Sequence, residues 1–135
     1  MPAKEWLGRA WEIDKEIRAL KREALAAKDL ALSITARLDG EKVQTSKENY
    51  AENAMVRYLD YSDRIARRTE ELFAVKIEAY EMILQVDSRE LRTLLSLRYL
   101  SYLTWEQIAE EMEVDVRHVY RLHKAALLEA ELLIF

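Results

Sequence analysis

The chain has 135 residues, enough for one ordinary domain or for a small domain joined to an extended helical element. Half of the residues are apolar and 34% are charged, while glycine occurs only twice and proline once. That composition excludes disordered and collagen-like chains, and it leaves too few turn residues for a sandwich or barrel. The 21 basic and 25 acidic side chains give a net charge of −4, so nucleic acid would have to be held by a local arrangement of cations rather than by bulk charge. Residues 87–135 carry 6 basic and 9 acidic side chains, and residues 1–86 carry 15 and 16.

With no cysteine there is no disulfide, thiolate metal site or cysteine nucleophile. The two histidines, His118 and His123, stand five apart on one predicted helix, about 140° around its axis, which does not suit a metal pair. No metal and no cofactor is expected. Met1-Pro2-Ala3-Lys4-Glu5-Trp6 has no basic segment leading into an apolar core, and charges interrupt every apolar run well before a membrane-spanning length. The expectation is a cytoplasmic protein without a membrane segment.

From Trp6, apolar and small residues recur at alternating spacings of four and three: Trp6, Ala10, Ile13, Ile17, Leu20, Ala24, Ala27, Ala31, Ile34, Leu38. This heptad seam predicts a helix over residues 3–38, closed at Asp39-Gly40 and followed by a short connection over 41–45. Thr45 and Glu48 have capping-box spacing. A second seam then runs through Ala51, Met55, Tyr58, Ser62, Ile65, Thr69, Leu72, Lys76, Ala79, Ile83 and Val86. Two helices of nearly 40 residues, each about 55 to 60 Å long, should fold back as an antiparallel coiled-coil hairpin. Trp11, Leu25, Leu30, Leu32, Tyr61 and Ile77 lie off the stripes and call for a further partner, either the C-terminal segment or a second copy.

Asp87-Ser88-Arg89-Glu90 opens a predicted third helix that reaches about Tyr99. Thr104 opens a fourth, with Gln107 placed to complete a capping box, and it ends near Met112; Asp115 is placed as the N-cap of a fifth. The predicted fold is therefore all-α: a helical hairpin over 1–86 for oligomerisation or interaction, then a three-helix, helix-turn-helix domain over 87–135.

Residues 97–127 hold the functional signal. Ala109 supplies the small residue at which one helix of a helix-turn-helix crosses another. Ile108, Met112, Val114, Val119 and Leu122 stand one before it and three, five, ten and thirteen after it, the offsets that lock such a crossing. On the fifth helix, Val119, Leu122, Ala126, Ala130 and Leu133 share one face, and Arg117, Arg121 and Lys124 lie opposite within about 60° of one another. Arginine reads guanine bidentately and lysine meets phosphate. The predicted base contacts are Arg117, His118 and Arg121, with Tyr120 and Lys124 at the DNA backbone and Thr104 as a further DNA-binding residue. Other readings of the same residues are an ordinary solvated face for the cations, packing for His123, and packing of Trp105 on the third helix rather than contact with phosphate.

The segment from Leu91 to about Ala130 resembles the fourth region of bacterial sigma factors, in which a helix-turn-helix reads the minus-35 promoter element. Arg98-Tyr99-Leu100, the run Thr104 to Ala109, the run Val119 to His123 and Ala126-Leu127, behind a long helical N-terminal half, resemble small phage and prophage proteins related to late-operon regulators of the ArpU and RinA type. The resemblance implies a phage-type transcriptional regulator acting on double-stranded DNA in a bacterial host cell, with contact to RNA polymerase open. It places Arg117, His118 and Arg121 where base-reading residues lie. The chain departs from that pattern at Glu113, which stands where the turn usually has glycine, and it has no room for the further domains of a complete sigma factor.

No phosphate loop, serine elbow or acid-base constellation suggests an enzyme. The heptads predict a homo-oligomer, a dimer in the first instance, and the apolar end over 132–135 is expected to pack on the hairpin or across the dimer. Two alternatives remain: a protein-interaction module that binds RNA polymerase or a sigma factor with little DNA contact, favoured by the acidic balance, and a phage packaging subunit that recognises DNA.

Overall fold

The computed structural model describes residues 2–37 and 45–135, with side chains over 2–34 and 49–135. The expected closure at Asp39-Gly40 and the Thr45–Glu48 box lie outside the described residues and side chains. The fold is all-α, with no strand among the described residues. In chain order the helices are α1 (Ala3–Leu7), α2 (Arg9–Arg37), α3 (Thr45–Leu84), α4 (Arg89–Leu95), which runs into a π-helical turn (Ser96–Leu100), α5 (Trp105–Met112) and α6 (Val116–Ile134). None of them is long and apolar enough to cross a membrane.

The helix expected over 3–38 is bent at Gly8. Glycine is a weak helix former, and here ψ swings to −5° while its N–H still donates to Lys4 O at 3.0 Å. A Cβ at this bend would stand 3.2 Å from the same carbonyl oxygen.

Two compact units divide the chain at 13/14 and 71/72, not at the expected 86/87. One unit comprises Asp14–Glu71. Its two helical stretches run antiparallel, because Glu16 pairs with Arg68 at 2.9 Å and Lys28 lies 5.8 Å from the Tyr58 ring centroid. Ile17, Ala24, Ala27, Ala31 and Ala54 are buried, and four of these five are alanines that let backbones approach closely. Among the described residues the seam differs from expectation at Ala54, which is buried while the adjacent Met55 is 39% exposed. Its polar positions turn inward on their own helix, since the Ser62 and Thr69 hydroxyls donate to the carbonyls of Tyr58 and Ile65 at 2.9 and 2.7 Å.

The other unit comprises Met1–Ile13 and Leu72–Phe135, and it holds the main core: Ala3 and Leu7 from α1, Ala79, Met82 and Ile83 from α3, Val86, Leu94 and Leu95 around α4, and Ile108, Ala109, Val119, Ala126 and Ala130 from α5 and α6. These side chains explain the division, because α1 and the C-terminal end of α3 are buried with α4 to α6. The Ala3 N–H donates to Glu131 at 2.8 Å, so an α6 carboxylate satisfies one of the open donors at the start of α1. Arg9 pairs with Glu78 at 2.8 Å. After α3, Arg92 donates to the Val86 and Asp87 carbonyls at 2.6 and 2.8 Å, and the Ser88 hydroxyl accepts from the Leu91 N–H to start α4.

The third helix does not continue regularly to Tyr99. From Ser96 it widens into the π-helical turn, with the Ser101 N–H donating five residues back to Ser96 O at 3.1 Å, and Tyr102 then takes φ 60°. The widened turn carries Tyr99 into the core, 7% exposed. The apolar end is divided in the single chain. Ile134 packs on the core, whereas Leu132 and Phe135 are 84% and 65% exposed.

Candidate nucleic-acid interface

α5 begins with a complete capping box. The Thr104 hydroxyl accepts from the Gln107 N–H at 3.2 Å, and the Gln107 side chain accepts from the Thr104 N–H at 2.9 Å. The helix ends in a Schellman arrangement: Val114 N–H to Ala109 O at 3.0 Å and Glu113 N–H to Glu110 O at 3.2 Å, with Glu113 left-handed at φ 58° and ψ 44°. The position where glycine is usual is thus left-handed here in spite of its side chain. Three residues, Glu113 to Asp115, join α5 to α6. Asp115 is the N-cap of α6, as expected, with the extended backbone of that position, although its carboxylate makes no capping hydrogen bond.

Ile108 and Ala109 on α5 are buried with Val119, Ala126 and Ala130 on α6, and Met112, Val114 and Leu122 pack against them half-buried. Ala109 therefore stands in the core beside α6, at the offsets read from the sequence. On the other side of α6, Arg117, Arg121 and Lys124 are exposed. Tyr120 is 48% exposed, with its ring 5.6 Å from Trp105 in an edge-on contact. Thr104 is exposed at the start of α5, its oxygen already committed to the cap.

His118 is placed differently from these cations. Its Nε2 stands 3.4 Å from the Glu90 carboxylate on α4, and the side chain is 38% exposed. A carboxylate this close competes with any acceptor on a base for the imidazole N–H. Exposed acids, Glu106, Glu110, Glu111 and Glu113, occupy α5 and its end.

Behind the exposed face lies an arrangement that the sequence did not disclose. Tyr99 and His123 share a 2.6 Å hydrogen bond, and the Trp105 ring centroid lies 4.5 Å from that of His123. The Arg98 guanidinium covers Trp105 at 4.2 Å and donates to Leu103 O at 2.8 Å. Trp105 is thus a packing residue. Burial, against the charge of Arg98, pushes the Tyr99 phenol up to about 12, and burial together with the charges of Lys4 and Arg98 pushes His123 down to about 4. The imidazole is consequently neutral at pH 7 and belongs to the support of α6. Only the apolar register around it was visible as a signal, because the π-helical turn that brings Tyr99 inward has no sequence signature.

The chain belongs to the DUF1492 family, described as a protein of unknown function, whose profile matches residues 32–131. That span includes Thr104, Arg117, His118, Tyr120, Arg121 and Lys124. No curated protein and no solved structure matches the chain.

Proposed function

We propose that the chain is a phage-type transcriptional regulator that binds duplex DNA through a sigma-like helix-turn-helix, with α5 as the supporting helix and α6 as the recognition helix. The observation that carries this reading is the division of α6: Val119, Ala126 and Ala130 are buried, and Arg117, Arg121 and Lys124 are exposed on the far side. The three-residue turn and the buried Ala109 support it. In this reading Arg117 and Arg121 meet base edges, and Lys124, Tyr120 and Thr104 meet the backbone. His118 reaches a base only by leaving Glu90. The reading assigns no catalytic step and no cofactor, and its setting is the cytoplasm of a bacterial host.

A second reading, a module that binds RNA polymerase or a sigma factor, is favoured by the acids Glu106, Glu110, Glu111 and Glu113 beside the cationic stripe. Selection from a random duplex library at near-physiological salt, which suppresses purely electrostatic binding, separates the two. The expected outcome is an enriched motif whose binding weakens by about 1 to 3 kcal/mol for each bidentate contact removed in Arg117→Ala and Arg121→Ala. An unenriched library with folded protein would favour the second reading, and host polymerase would then be the partner to test.

A further inference from the structure

Along the last third of α3, Phe73, Ile77, Tyr80 and Leu84 recur at spacings of four, three and four, the spacing of a coiled-coil seam. They are 65%, 54%, 52% and 56% exposed, and at 100° per residue they share an arc of about 60°. This is not the seam that builds the core, because Val75, Ala79 and Met82 on the same stretch are buried. Tyr80 and Leu84 also line a shallow groove of about 270 Å³ together with Leu97, edged by Arg89 and Arg92. Soluble chains rarely leave four large apolar side chains in heptad register open to water.

We propose that this second seam of α3 is a homodimer interface, packed antiparallel on the same seam of a second copy. The contact is isologous, with Ile77 against Tyr80 of the second copy and Phe73 against its Leu84, so that all four positions meet apolar partners. An in-register parallel pair would continue the seam one step toward the N-terminus and set Glu70 against Glu70. The antiparallel register instead carries Glu70 of each copy past the end of the other copy's α3, where Asp87 is followed by Arg89 and Arg92 at the groove, a site of mixed rather than like charge. Side chains of 150 to 250 Å² that are more than half exposed present about 400 Å² per copy, roughly 800 Å² for the pair. The groove and the flanking residues extend the contact toward the size of about 1,000 to 1,200 Å² at which specific interfaces begin. The inference is independent of the DNA reading.

The mass of the full chain in solution, measured by sedimentation over a range of concentrations, tests it. The wild type is expected to be a dimer that dissociates on dilution, and Ile77→Glu with Tyr80→Glu is expected to be a monomer with an unchanged helical spectrum. Because the chain has no cysteine, cross-linking reports the register cleanly. Phe73→Cys mixed with Leu84→Cys is expected to form a disulfide-linked dimer. Either variant alone is not, because like positions stand 11 residues apart in this register, roughly 16 Å along the helix and beyond the reach of a disulfide. A wild type that stays monomeric, a double glutamate variant that stays dimeric, or single variants that cross-link with themselves would each overturn the proposal. Since the readout is mass and linkage, none of these results bears on DNA binding.

Discussion

At Glu113 a single side chain sits against the preference of its own backbone. Its left-handed φ of 58° closes α5, and a residue with a Cβ there costs about 1 kcal/mol relative to glycine. Glu113→Gly is therefore expected to raise stability by about that amount, read as a higher denaturation midpoint at constant slope. A lower midpoint would mean that the carboxylate makes a contribution larger than the strain. Glu113 was legible in the sequence, because the turn position follows from counting offsets from Ala109. His123 was legible only as a packing residue. Its folded pKa of about 4 lies below the ordinary 6.5, so the unfolded chain binds the proton more tightly. The stability linked to this imidazole is fully present above pH 6.5 and is lost as pH falls toward 4. His123→Gln is expected to flatten the fall in stability between pH 6.5 and 4.5 relative to the wild type, although carboxylates contribute equally to both below that window. Parallel stability curves across the window would show that burial does not hold the imidazole neutral.

The two helices of the candidate interface begin in different ways, and this makes their caps separable. Thr104 satisfies an open N–H of α5 and is itself held by Gln107, whereas Asp115 offers only its backbone to α6. Thr104→Ala is expected to cost about 1 kcal/mol and Asp115→Ala less than about 0.5 kcal/mol, both measured by chemical denaturation. Equal losses would indicate that Asp115 caps α6 in solution. Both starts were read from the sequence, since cap residues announce a backbone position, but only Thr104 has the glutamine three residues on that completes the bond pattern. The π-helical turn after α4 was not legible. Its residues, Ser96 to Leu100, have ordinary helical composition, and the extra residue in the turn is set by where Tyr99 packs. The heptad seams were legible because their spacing is independent of what covers them. That same independence is why Ile77 could be seen to lie off the first seam while its companions Phe73, Tyr80 and Leu84 went unread.

At the scale of the molecule, the sequence suggested a boundary at 86/87, where one run of heptads stops and a set of short capped helices begins. The compact units instead place Met1–Ile13 with Leu72–Phe135. Periodicity reveals how far a helix runs, but not which parts of it share a core, and the difference rests on a few side chains distant in sequence. Leu7 is the clearest of them. It stands on α1, is 1% exposed, and shares its core with Val119, Ala126 and Ala130 of α6, while Ala3 one turn earlier is fixed to Glu131. If α1 is an integral part of that core, Leu7→Ala leaves a cavity and costs about 2 to 5 kcal/mol. Leu25 on α2 is 59% exposed, and its replacement by alanine should change stability by less than about 0.5 kcal/mol. Amide exchange adds a directional check, since loss of Leu7 should speed exchange in the second half of α6 as well as in α1. Faster exchange confined to α1 would mean that α1 only rests on the surface of that unit, and that α4 to α6 hold their arrangement without it.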